Sequence, residues 1–143
     1  LRRGPYVIAA GLDDSIGGQP RVLDGHFINL FDSTLAVQDQ ITISPGSRYY
    51  LLDLDRINRA TPCVLASACR VNVLKQDQNN FSAYVEGVTN TPAVILMKTE
   101  KPPKSVRLGQ SFVKDFNYSA NDPLLRIYFT NEARQRKLTV VFE

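Results

Sequence analysis

The chain has no tryptophan, one histidine and two cysteines in 143 residues. Each scarcity excludes something. Tryptophan is the preferred ring platform of sugar-binding clefts, so its absence counts against a strong cleft of that kind. A Ser-His-Asp or Cys-His site would have to be built on His26 alone. That residue follows Gly25 at the start of a strand, where an edge or surface imidazole is expected. Cys63 and Cys69 would lie ~20 Å apart in an extended strand at ~3.3 Å per residue. A disulfide needs Cα atoms within about 7 Å. With no Cys or His neighbours at zinc-ligand spacing, they read as free, buried thiols beside Val64, Leu65, Ala66 and Ala68. No metal and no cofactor is expected.

Long apolar runs are missing too. Nothing approaches the ~18 residues of a membrane-spanning helix, so no membrane span is expected. The most apolar stretch, residues 93–97, is strand-sized. A helical period is absent over any ordinary helix length. Charge of one sign is also scarce, the formal balance being +3. Its clusters (Arg2 with Arg3, Lys101 with Lys104, residues 134–137) are not interleaved with aromatics as a nucleic-acid groove requires. They read as solvated strand ends, and no nucleic-acid partner is expected.

What is present is short apolar alternation separated by turn chemistry. With 43% apolar and 22% charged residues the chain is not disordered. Strands are expected at residues 6–10, 22–23, 27–31, 41–43 and 49–54, and then over the run 63–74. Further strands are expected at 81–86, 93–97, 106–108, 112–118, 125–129 and 138–142. Asp24-Gly25 marks a hairpin or bulge, and residues 15–20, with Gly17-Gly18, a flexible connection. Helical turns are expected only at 55–58 and 131–135. The fold class is all-β: an antiparallel, immunoglobulin-like sandwich of about eleven or twelve short strands. One continuous domain over residues 1–143 is expected, with a sub-boundary near 60 left open. A start at Leu1 without an apolar leader reads as a fragment of a longer polypeptide.

Candidate chemistry is thin. Asp13 and Asp14 form one carboxylate pair. Asp53 and Asp55 form another, about 7 Å apart on one side of a strand at ~3.3 Å rise. That separation suits an inverting glycosidase, but strand neighbours rarely flank a substrate, and salt bridging or turn capping is expected instead. Calcium oxygens at Asp53, Asp55 or Asn58 lack a loop signature. Gly17-Gly18 and Gly109 do not form a phosphate-cradling pattern. Asn80-Phe81-Ser82 and Asn117-Tyr118-Ser119 match the glycosylation triplet. Tyr49, Tyr50 and Tyr84 are the rings most available for stacking on a sugar, against the alternative of cross-strand packing.

Several stretches resemble the C-terminal β-sandwich accessory modules of bacterial glycoside hydrolases. They are Arg3-Gly4-Pro5-Tyr6-Val7-Ile8-Ala9-Ala10, Phe27-Ile28-Asn29-Leu30-Phe31-Asp32, and Pro45-Gly46 followed by Leu51-Leu52-Asp53-Leu54-Asp55. The ending Pro103-Lys104-Ser105-Val106-Arg107-Leu108, with Phe116-Asn117-Tyr118 and Leu125-Arg126-Ile127-Tyr128-Phe129, is similar to theirs. The resemblance implies a non-catalytic module that packs on the catalytic domain of the same polypeptide and helps to hold polysaccharide. It implies a periplasmic or secreted setting and an apolar patch left exposed. Two other readings stay open: an autonomous carbohydrate-binding module, and an immunoglobulin-like protein-interaction or adhesion module.

Overall fold

The computed structural model describes residues 1–12, 19–58 and 60–143. The Asp13/Asp14 pair and the Gly17-Gly18 connection lie outside them. The chain is all-β and antiparallel, with three sheets among the described residues. It divides into two compact units, Leu1–Asn58 and Arg59–Glu143.

The first unit is one five-stranded sheet. Its strands are β1 (Arg2–Arg3), β2 (Tyr6–Ala10), β3 (Arg21–Asn29), β4 (Val37–Ile43) and β5 (Arg48–Asp53), in the order β1-β2-β5-β3-β4. Alternation sets the faces: Val7 and Ala9 are buried, while Ile8 and Ala10 are exposed. Val7, Phe27, Ile41 and Leu51 form a buried cluster, with Leu23, Ile43 and Tyr49 packed against it. The two strands expected around 22–23 and 27–31 are a single strand, β3, carrying a bulge between Asp24 and Phe27. Gly25 makes that bulge. Its φ is +142°, and a Cβ there would stand 3.1 Å from the Phe27 ring. After β5 the chain closes one 3-10 turn at Leu54–Arg56, where a helical turn was expected.

The second unit is a two-sheet sandwich. Its strands are β6 (Cys63–Ser67), β7 (Arg70–Gln76), β8 (Asn80–Glu86), β9 (Pro92–Lys98), β10 (Pro103–Leu108), β11 (Ser111–Phe112), β12 (Phe116–Ser119), β13 (Leu124–Thr130) and β14 (Arg136–Phe142). One sheet runs β11-β10-β14-β8-β7 and the other β12-β13-β9-β6. Phe81, Ala83, Val85, Val106, Leu138, Val140 and Phe142 from the first meet Ile95, Met97, Leu125 and Ile127 from the second. Each large side chain removed from water there contributes ~1.5–3 kcal/mol. The apolar run 93–97 is in β9, an inner strand, as its unbroken apolarity requires.

Three sequence expectations are corrected. The run 63–74 is not one strand: it turns a corner at Ala68 and Cys69, so β6 and β7 belong to opposite sheets. The run 112–118 likewise breaks into β11 and β12, again in opposite sheets. Residues 131–135 are not helical, because the backbone of Asn131 is taken by other segments. Its N–H donates to Thr91 O at 2.8 Å, and its carbonyl accepts from Asn90 N–H at 3.0 Å. Neither Cys63 nor Cys69 forms a disulfide; the first is buried and the second half-buried.

Candidate functional site

Tyr49 and Tyr50 are neighbours on β5 and therefore point to opposite faces. Tyr49 packs on the buried cluster and its hydroxyl donates to Thr42 O at 3.1 Å. Tyr50 lies on the other face, opposite Ile8 of β2. There it stacks on Tyr6 with ring centroids 5.8 Å apart and planes at 28°. Phe31, just beyond β3, leans on the same ring at 6.1 Å and 50°. The chain is held there by Leu30 N–H donating to Tyr50 O at 2.7 Å. Tyr6, Tyr50 and Phe31 thus form an aromatic strip on the first sheet. Phe31 is 70% exposed and Ile8 54%, whereas Leu52 and Ile28 on the same face are fully buried.

Near the β3 bulge is a charged cluster. The Nδ1 of His26 is 2.7 Å from Asp55 Oδ1, and its backbone N–H donates to Asp55 Oδ2 at 3.3 Å. Nε2 lies 3.7 Å from Asp39 Oδ1. The hydrogen bonds from the ring and then from the backbone of His26 hold the Asp55 carboxyl below the usual carboxylate range. That is opposite to the shift a general acid needs. Asp53 is not on the same strand face as Asp55, as expected from sequence, because Asp55 belongs to the 3-10 turn. Asp53 is buried and bonded by Arg2 Nη1, with Arg56 Nε at 3.6 Å. Asp53 is therefore engaged in ion pairs, and Asp55 in hydrogen bonds with His26. Among the described residues no group of three or more His, Cys, Asp or Glu side chains is placed to hold a metal ion. No helix of these residues is long and apolar enough to cross a membrane.

Tyr84 belongs to the second unit and sits on β8 directly opposite Lys137 of β14. It faces outward, Ala83 and Val85 beside it being in the core. Of the three predicted tyrosines, Tyr49 and Tyr50 are parted by the sheet they share, and Tyr84 belongs to the other unit. Tyr50 instead gains Tyr6 and Phe31, which sequence reasoning missed. The signal was available for Tyr6: its parity with Ile8 places both on the face opposite buried Val7 and Ala9. Of the glycosylation triplets, Asn117 is exposed on β12, while the Asn80 amide donates to Asp77 Oδ1 at 3.2 Å.

One end of the second unit carries a groove of about 800 Å³. One wall is the β10–β11 hairpin and the segment after it; the other is the β13–β14 connection. That connection is anchored by Asn131, which is 2% exposed. Its Nδ2 donates to Ala68 O and to Thr91 Oγ1, both at 3.1 Å. Gly87 lies so close that a Cβ there would be 2.4 Å from the amide. Set against family models, curated proteins and solved structures, the chain matches none of them.

Proposed function

We propose that the chain is a non-catalytic accessory module of a bacterial carbohydrate-active enzyme, acting beside the catalytic domain of the same polypeptide and holding glycan. One observation carries the reading. The strip of Tyr6, Tyr50 and Phe31 presents stacked rings at the surface of a sheet. Phe31 is largely exposed and the Tyr6 and Tyr50 rings partly so, and ring faces left at a surface pack well on the apolar faces of pyranose rings. The resemblance of segments along the chain to accessory β-sandwiches of glycoside hydrolases points the same way. The ion pair of Asp53 with Arg2 and the hydrogen bonds between Asp55 and His26 also favour binding over hydrolysis at this unit.

Titration calorimetry with soluble xylan, glucomannan and arabinan tests the reading. Binding to at least one is expected, weakened about ten-fold or more by the pair Tyr50→Ala and Phe31→Ala, a loss of ~1.4 kcal/mol or more. No heat with any of them, or an affinity indifferent to both substitutions, overturns the strip as a glycan surface.

A further inference from the structure

The groove of the second unit has a chemistry unlike that of the aromatic strip. Four cationic side chains line it: Lys114, Arg134, Arg136 and Lys137. Only two carboxylates, Asp115 and Glu132, face them. Glu132 is shared by two guanidiniums, with Arg134 Nε at 2.6 Å and Arg136 Nη1 at 2.9 Å. Neither Lys114 nor Lys137 has an acidic partner within salt-bridge distance among the described residues. The groove is therefore left with cationic excess and lysines free to meet an anion.

Of the three aromatic residues that line it, Phe112, Tyr128 and Phe129, two have a guanidinium against the ring. Arg107 lies 4.1 Å from the centroid of Phe112, and Arg136 lies 5.6 Å from that of Phe129. Arg136 is committed within the protein, its Nη1 donating to Glu132 Oε1 and its Nη2 to Thr130 O, so Lys114, Lys137 and Arg134 are the cations left to meet an anion in the groove. Two classes of polyanion can be told apart on this basis. A single-stranded nucleic acid needs open ring faces for its bases, and its phosphates offer nothing to Asp115 or Glu132. A sugar chain bearing carboxylates meets both halves of the groove. Its carboxylates go to Lys114, Lys137 and Arg134, and its hydroxyls donate to Asp115 and Glu132. The outward-facing Tyr84, opposite Lys137, extends the same surface across β8.

We propose that this groove binds an acidic polysaccharide through the carboxylates of its uronic-acid units, with Lys114 and Lys137 as the principal contacts. The proposal rests on the reading of the chain as a glycan-holding module but uses a surface of the second unit. The volume lies within the ordinary range for ligand clefts. The hairpin wall turns through the two-residue loop between Leu108 and Ser111, which fixes its position by backbone pairing.

Calorimetric titration of the whole chain with a galacturonic-acid hexamer and a mannuronic-acid hexamer tests it, using the methyl ester of the first as control. Binding to at least one acid form is expected, weakened several-fold by raising salt from about 0.05 M to about 0.3 M. The methyl ester is expected to bind at least ten-fold more weakly. So is the acid form to the variant carrying Lys114→Gln and Lys137→Gln, whose unchanged melting temperature shows that it folds. Tyr50→Ala with Phe31→Ala is expected to leave the uronate affinity unchanged. No binding of either hexamer overturns the proposal, as does equal affinity in the lysine variant. Tighter binding of a twelve-residue oligothymidylate than of either hexamer also overturns it. Neutral glycan bound through Tyr50 without uronate binding would refute the groove and leave the strip standing. Silence toward both would refute the two together.

Discussion

The two units solve the same problem differently. The second closes its core between two sheets, so β8, β9, β13 and β14 each give one face wholly to the interior. The first has one sheet, with Val7, Phe27, Ile41 and Leu51 clustered on one side. A single sheet has a second face that it cannot cover by itself. On that face Tyr6, Tyr50, Ile8 and Phe31 stay partly or largely exposed. The difference teaches where to look for function in each. In the first unit the proposed glycan surface is a sheet face made of apolar rings. In the second the sheet faces that meet are consumed by packing, and the charged groove is formed by connections at one end.

The comparison can be broken hardest at the second core. Phe81 is fully buried, and Phe81→Ala should cost ~3–5 kcal/mol. Urea unfolding should show this, with amide protection lost across β8, β9, β13 and β14 before β2 and β5. Equal loss in both units would erase the distinction between them. A smaller effect is expected in the first unit at the bulge. Gly25→Ala puts a Cβ against the Phe27 ring in a backbone conformation that alanine disfavours, at a cost of ~1–3 kcal/mol. Thermal melts should place it below Phe81→Ala. A loss of less than a few tenths would mean that the bulge yields easily.

The smallest effect separates the units by pH. In the second, Asp77 closes the β7–β8 turn. The Lys75 ammonium, at 3.0 Å, and then the Asn79 N–H draw its carboxyl down to about 2. Its unfolded value is the ordinary ~3.9. Because the folded value is the lower one, its stabilisation is complete above that value and is lost as pH falls toward 2. In the first unit the corresponding carboxylate is Asp55, lowered by His26. Asp77→Asn should flatten the acid limb of the second unit's stability curve and leave that of the first, and Asp55→Asn the reverse. Chemical-shift titration of β7–β8 and β3 amides reads the two separately. Identical curves for both variants would refute the assignment.

Much of the fold is legible from alternation and turn residues. Residues 6–10 emerge as β2 without change, and Asp24-Gly25 marks the place where β3 carries its bulge. The misreadings share a cause. At Ala68 and Cys69 the chain bends between sheets inside an apolar stretch, so no break in composition marks the corner; at Val113, Lys114 and Asp115 two charges interrupt the run, with no glycine or proline to announce a change of sheet. Pairing partners far away in sequence decide which sheet a strand joins, and local pattern does not contain them. The candidate sites fail to show for the same reason. Tyr50 was visible as an available ring, but its stacking partners Tyr6 and Phe31 are far from it in sequence. Arg136 stood in a basic cluster with no aromatic next to it, yet Phe129 lies against it across a connection. Interleaving of cation and ring exists here in space and not along the chain.

Asn131 has a consequence beyond closing one end of the sandwich. Its side chain and backbone join the β6–β7 corner, the loop before β9 and the β13–β14 connection. That last segment is the wall bearing Glu132 and Arg134. A wall tied at its root has little freedom to surrender when something enters beside it. Recognition there would therefore resemble a key meeting a finished lock, with association limited by encounter and attraction rather than by rearrangement.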